Sequence, residues 1–160
     1  MCLVIDTCCL SWVFRAEDKE HVPFEVVSSW IRNGKGRMIY GGTKYNAELG
    51  KATEIFGIVG ELSRQRRTIR IPNAVVDPIA RVLKARVHDA KFNDEHLAAL
   101  VVASRCRVVC TNDNVAISYL RRPGLFSGYP GVGRPSIYRG HKKHKKLCCD
   151  KNLVPICREA

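Results

Sequence analysis

Asn93-Asp94-Glu95-His96-Leu97-Ala98-Ala99-Leu100-Val101-Val102-Ala103-Ser104-Arg105-Cys106-Arg107-Val108-Val109-Cys110-Thr111-Asn112-Asp113-Asn114 is the segment from which the architecture can be built. It reads as a helix opening on acidic residues, a short turn, a buried strand, and an aspartate just past the strand's end. The Val-rich run 107–110 is too short for a helix, which makes it a strand. In an open parallel sheet, loops at the carboxyl ends of strands hold the ligand site, and Asp113 stands in such a loop. Asp94 opens the helix, where the helix dipole favours a negative charge whatever the function.

Upstream of this segment the same alternation continues. Cys2-Leu3-Val4-Ile5 is a continuous apolar run, expected of a strand covered on both faces and ended by Asp6-Thr7. Leu10, Trp12, Val13 and Phe14 suggest a short helix. Pro23 stands where a first helical residue is tolerated, with Phe24, Val27, Trp30 and Ile31 following at helical spacing and Gly34 as the stop. Arg37-Met38-Ile39-Tyr40 reads as a second strand broken by Gly41-Gly42. A single helix from near Lys44 is expected to carry Leu49, Ala52, Phe56, Val59 and Leu62 on one face. Residues 68–71 form a third strand, stopped by Pro72. Val75, Val76, Ile79, Val82 and Leu83 mark another helical face, and 115–120 a last helix. Strands alternating with helices predict an α/β domain over residues 1–120 with a mainly parallel central sheet. Beyond Leu120 the prolines and glycines break every long element, leaving 121–160 as a basic Gly/Pro-rich extension packed on or trailing from the domain.

A chain of 160 residues suits one domain with a real core. No apolar run approaches the ~20 residues a membrane span needs, so no membrane partner is expected. The N-terminal segment meets Asp6 too early for a signal peptide, and the expected location is cytoplasmic. Its eight cysteines are therefore expected to be reduced, with Cys2, Cys8, Cys9, Cys106 and Cys110 acting as small apolar side chains in or beside the core strands. The formal net charge is +12, and from residue 121 onward ten Lys/Arg face only Asp150 and Glu159. A basic surface beside carboxylates suits an enzyme that holds a polyanion. The plainer reading is a solubilising face.

Four acids fall at element junctions: Asp6, Glu48, Asp94 and Asp113, separated by 42, 46 and 19 residues. Singly, each has a structural role to hand. Asp6 can cap a helix, Glu48 can be solvated, Asp94 can serve its helix dipole, and Asp113 can make an Asx turn. Together, the elements that carry them point to one end of the sheet. Two carboxylates ~5 Å apart repel by roughly 3 kcal/mol at an effective dielectric near 20. Protonation or a divalent cation must relieve that repulsion, and an all-oxygen acidic set suits Mg²⁺ or Mn²⁺ rather than zinc. Joined to a basic surface, such a site suits phosphodiester hydrolysis.

Val4-Ile5-Asp6-Thr7-Cys8, Tyr40-Gly41-Gly42-Thr43-Lys44-Tyr45-Asn46-Ala47-Glu48-Leu49, Asn93-Asp94-Glu95-His96-Leu97-Ala98-Ala99-Leu100 and Thr111-Asn112-Asp113 resemble the ordered motifs of the PIN-domain nucleases over about residues 2–120. The resemblance implies a three-layer α/β/α fold in which Asp6, Glu48, Asp94 and Asp113 are catalytic metal ligands for Mg²⁺ or Mn²⁺. It implies a hydrolase that cleaves RNA, many members being toxins restrained by an antitoxin and some forming dimers. Thr111 and Thr7 would support those ligands through their hydroxyls. Lys44, Arg139, Lys142, Lys143, Lys145 and Lys146 are the expected substrate-binding cations. Cys8 departs from the family's Ser or Asn, Asn93 stands where some relatives carry Asp, and no further acid follows Asp113, which puts a second metal in doubt.

Two other functions fit the same residues: a catalytically silent RNA-binding module, and a nuclease specific for single-stranded or flap DNA. Glu95 is an alternative to Asp94, although helical geometry turns it about 100° away. Asp89 is a weaker alternative, and Glu17 and Asp18 read as loop solvation. His96 is expected to be a satisfied structural histidine. Tyr45, close to Glu48 in sequence, is a candidate for touching a substrate phosphate or base. His141 with His144, Cys148, Cys149 and Cys157 has the wrong spacing for a zinc finger, and the lysines among them would repel a cation.

Overall fold

The computed structural model of the chain describes residues 2–158, so Glu159 lies outside the described residues. Five strands form one parallel sheet: β1 (Cys2–Ile5), β2 (Arg37–Gly41), β3 (Thr68–Ile71), β4 (Val108–Cys110) and β5 (Ser136–Tyr138), in the order β3-β2-β1-β4-β5. Helices flank the sheet on both faces in a three-layer α/β/α arrangement, as the alternating pattern predicts. They are α1 (Leu10–Phe14), α2 (Glu25–Arg32), α3 (Thr43–Gly50), α4 (Thr53–Arg64), α5 (Asn73–Val87), α6 (Glu95–Ser104), α7 (Asn114–Leu120) and α8 (Pro155–Arg158).

β1 and β4 are buried at every residue, which explains their unbroken apolar sequence. α6 is apolar almost all round and buries eight residues, from His96 to Val102 and Ser104, because it lies inside the molecule rather than on its surface. After β1 the chain builds outward through β2 to β3, then crosses back to lay β4 on the other side of β1. Ligand sites in open parallel sheets favour the point where the strand order reverses, here between the carboxyl ends of β1 and β4.

Three expectations need correction. The single helix expected from Lys44 through Leu62 is two, α3 and α4, parted at Lys51-Ala52 where Ala52 leaves the helical region (φ −106°, ψ 77°). The break rotates Phe56 off the common face, and it is 57% exposed. Cys2 is not a free thiol: it is joined to Cys157, 155 residues away, because α8 returns to the start of β1. Finally, the extension is not wholly peripheral. It supplies β5, whose Ser136, Ile137 and Tyr138 pair with Val108, Val109 and Cys110.

Gly41 and Gly42 turn the chain from β2 into α3 with φ of 143° and 82°. A Cβ on Gly41 would stand 2.1 Å from the Ile71 carbonyl oxygen, so β3 leaves no room for a side chain there. The turn directs α3, with Lys44, Tyr45 and Glu48, to the carboxyl end of the sheet.

Candidate functional site

Asp6 follows β1 directly, and its backbone N–H donates to the Cys110 carbonyl at the end of β4 (2.8 Å). Its side chain is buried, at 5% exposure, and is held rather than free. The fully buried Thr111 hydroxyl donates to Asp6 Oδ2 (2.7 Å), and the Cys8 N–H reaches Asp6 Oδ1 at a long 3.4 Å. Thr111 Oγ1 also accepts from the Asp113 N–H (3.1 Å), so one hydroxyl ties the Asp6 and Asp113 loops together.

Glu48 reaches the same end from α3. Tyr45, completely buried, donates its hydroxyl to the Ile5 carbonyl (2.6 Å), pinning α3 to the last residue of β1. One turn later, Glu48 Oε2 accepts from the Thr7 hydroxyl (2.8 Å). Tyr45 is therefore a positioning residue inside the protein and not a contact for substrate. Sequence reasoning missed this role. The available signal was an aromatic three residues before the predicted acidic ligand, on the inward side of a short helix.

Asp94 occupies the N-cap position of α6, yet its side chain caps nothing. Its carboxyl is pushed up from 3.8 to about 6, first by burial, then by the negative charges of Asp6 and Asp113, with Glu48 adding to them and Lys44 opposing. Asp6, Glu48 and Asp113 thus all bear on the Asp94 carboxyl, which a capping role for Asp94 does not explain. For Asp113 the capping role is real. Its Oδ1 accepts from the N–H groups of Val115 (2.6 Å) and Ala116 (3.1 Å) at the start of α7. Asp113 is exposed, whereas Glu48 and Asp94 are half-buried.

The other acids fall away. Glu95 turns to Lys44 (3.1 Å) and Lys84 (3.9 Å), as the helical rotation predicts. Asp89 accepts from Tyr119 (2.5 Å), while Glu17 pairs with Arg15 and Asp18 with Ser11.

His96 corrects an expectation. It is buried, edge-on to Tyr45 with ring centres 6.1 Å apart, but neither ring nitrogen has a hydrogen-bond partner. Nε2 stands 3.6 Å from Glu48 Oε2, within ion-pair range and beyond a good hydrogen bond. Burial lowers its pKa while Glu48 pulls it upward.

Two cations approach the acids. Lys44 Nζ donates to the Asn93 carbonyl and pairs with Glu95, which holds it against the segment carrying Asp94. Arg139, one residue beyond β5, donates to the side chains of Asn112 (3.2 Å) and Asn114 (3.0 Å), the two neighbours of Asp113. The parallel pairing of β5 with β4 produces this alignment. Lys142, Lys143, Lys145 and Lys146 then follow on an exposed 3₁₀ helix (Lys142–Leu147). That segment is docked: His144 Nδ1 accepts from the Arg139 N–H (3.0 Å), and Asp150 pairs with Lys35 (2.8 Å).

Among the described residues, no group of three or more His, Cys, Asp or Glu stands together as a ready-made metal cage. The other three acids bear on the Asp94 carboxyl, and Asp6, Glu48 and Asp113 are each engaged by hydroxyl or backbone donors. Comparison with protein-family models, curated proteins and solved structures returns no match for this chain. The resemblance to the PIN-domain nucleases rests on this chain's own residues.

Proposed function

We propose that this protein is a PIN-type metal-dependent endoribonuclease, with Asp6, Glu48, Asp94 and Asp113 as its working carboxylates. The observation that supports the reading is that Asp6, Asp113 and Glu48 all raise the Asp94 carboxyl, with Asp6 and Glu48 oriented at the end of β1 by the Thr111 and Thr7 hydroxyls. Four oxygen-bearing acids match the donor chemistry of Mg²⁺ or Mn²⁺. The same four residues would hold the ion, which would supply a water of lowered pKa and charge neutralisation at the phosphate.

The chain's own groups have separable tasks. Thr111 and Thr7 orient one oxygen each of Asp6 and Glu48. Burial and the neighbouring acids push the Asp94 carboxyl up to about 6, so at neutral pH it ionises at a cost that a bound cation would relieve. Lys44, beside the Asp94 segment, and Arg139, beside the neighbours of Asp113, would offer positive charge to phosphate oxygens, and the lysines of 142–146 would extend that field.

Labelled RNA and DNA oligonucleotides with Mg²⁺ or Mn²⁺ test the reading. RNA cleavage should stop in EDTA and fall at least ~100-fold in Asp6→Asn and Asp113→Asn, of which the second keeps a competent cap. Folded variants with full metal-dependent activity would falsify the assignment. The absence of a preformed metal cage among the described residues favours one second reading, an RNA-binding module without cleavage. It predicts binding that persists in EDTA and no product from any substrate.

A further inference from the structure

The end of α5 and the segment after α7 border an open basic depression that the carboxylate site leaves without a role. Arg86 Nη1 donates to the carbonyls of Leu125 (3.0 Å) and Ser127 (2.6 Å), and its guanidinium lies 5.5 Å from the centre of the Tyr129 ring. These contacts fasten the loop 123–129 to α5. On it lie two adjoining cavities of about 310 and 390 Å³, which share Arg122, Pro123, Gly124 and Ser127. Arg86 lines the first, Arg134 lines the second, and no acid among the described residues lines either. Asp89, the acid on which Arg122 acts, is already committed to the Tyr119 hydroxyl (2.5 Å) and the Lys91 N–H (2.9 Å). Arg122 and Arg134 are exposed, and a Cβ on Gly124 would meet nothing within 4 Å, so the floor between them is open.

We propose that these joined hollows are a phosphate-binding subsite that grips the backbone of a single-stranded nucleic acid away from the carboxylates, an inference that rests on the nuclease reading. Guanidinium groups match phosphate oxygens in a fork geometry that lysine lacks. Arg86 fixes the backbone of the loop between Arg122 and Arg134, which lowers the cost of ordering it on binding. The hollow is also mechanically joined to the candidate site. Tyr119 bonds Asp89 and stacks on Phe92 with centroids 4.7 Å apart, and the connection from Asp89 through Phe92 runs directly into Asp94.

The test is fluorescence anisotropy of a labelled single-stranded RNA, titrated in EDTA at several salt concentrations so that no cleavage occurs. For single strands, each phosphate that the protein neutralises adds ~0.7 to the steepness of the salt dependence. The Arg122→Ala/Arg134→Ala variant should therefore bind more weakly, with a slope shallower by about 1.4. Lys19→Ala/Lys51→Ala removes the same charge from exposed positions elsewhere and should leave the slope within error. An unchanged slope in the folded arginine variant, or an equal fall in both variants, overturns the subsite. So does equal affinity for a polyglutamate of matching length that the same two substitutions abolish, since the hollow would then be a site for acidic protein. RNA bound here by a protein that cleaves nothing leaves the subsite standing and removes the nuclease reading. Cleavage with an unresponsive slope does the reverse.

Discussion

Replacing Asp94 with Asn isolates the electrostatic strain that four converging acids must create. In the folded protein the Asp94 carboxyl rises from 3.8 to about 6, from burial first and from Asp6 and Asp113 second. A folded pKa above the unfolded one means that folding favours the protonated form. The stabilising contribution is complete below about pH 4 and is lost as pH rises through 6. At pH 7 the ionised group costs stability. A shift of that size corresponds to roughly 3 kcal/mol, and about half of it survives screening at a partly exposed site. Asp94→Asn should therefore stabilise the metal-free protein at pH 7 by about 1.5 kcal/mol, or roughly 3–6 °C in Tm for a chain of this size. Urea unfolding in EDTA at pH 7, 5.5 and 4 measures it, and the gain should shrink to about 0.5 kcal/mol or less at pH 4. Added Mg²⁺ should stabilise the wild type more than the variant, because the variant has lost a charged ligand. A variant less stable at pH 7, or a difference flat across pH, refutes the convergence.

Three further outcomes follow from packing around the site. Tyr45→Phe leaves the Ile5 carbonyl without its buried donor, at a cost of about 1–3 kcal/mol in urea unfolding, and should lower cleavage by loosening Glu48. Gly41→Ala places a methyl 2.1 Å from the Ile71 carbonyl oxygen. It should cost about 2–4 kcal/mol, whereas Gly57→Ala, which meets open space inside α4, should be neutral or stabilising. Cys157→Ser opens the covalent link to β1, and reduced wild type should match it in Tm, both lying about 2–5 kcal/mol below the oxidised protein. Equal stability of oxidised and reduced wild type rules that link out.

What could be read directly from the chain were features with a local physical cause. The apolar runs of β1 and β4 read as buried strands, and the segment that opens on Asp94 reads as a helix, as the fold has them. Their alternation with surface helices entails a parallel sheet, and with it a common end for Asp6 and Asp113. Pairings between distant residues were beyond that reach. The short Ser136–Tyr138 strand carries no period of its own and exists because β4 offers an unpaired edge. Cys2 and Cys157 looked like unrelated thiols until α8 closed on β1. Tyr45 turned from substrate candidate to buried anchor because the Gly41-Gly42 turn aims α3 inward, a consequence of backbone direction and not of residue type. His96 lacks its expected partner for a similar reason: the packing that buries it brings Glu48 to 3.6 Å and no closer. The order of residues alone dictated which segments could bury themselves and where acids would interrupt them. Which of those acids share an electrostatic field was settled in three dimensions, since that depends on distances across the fold and not along the chain.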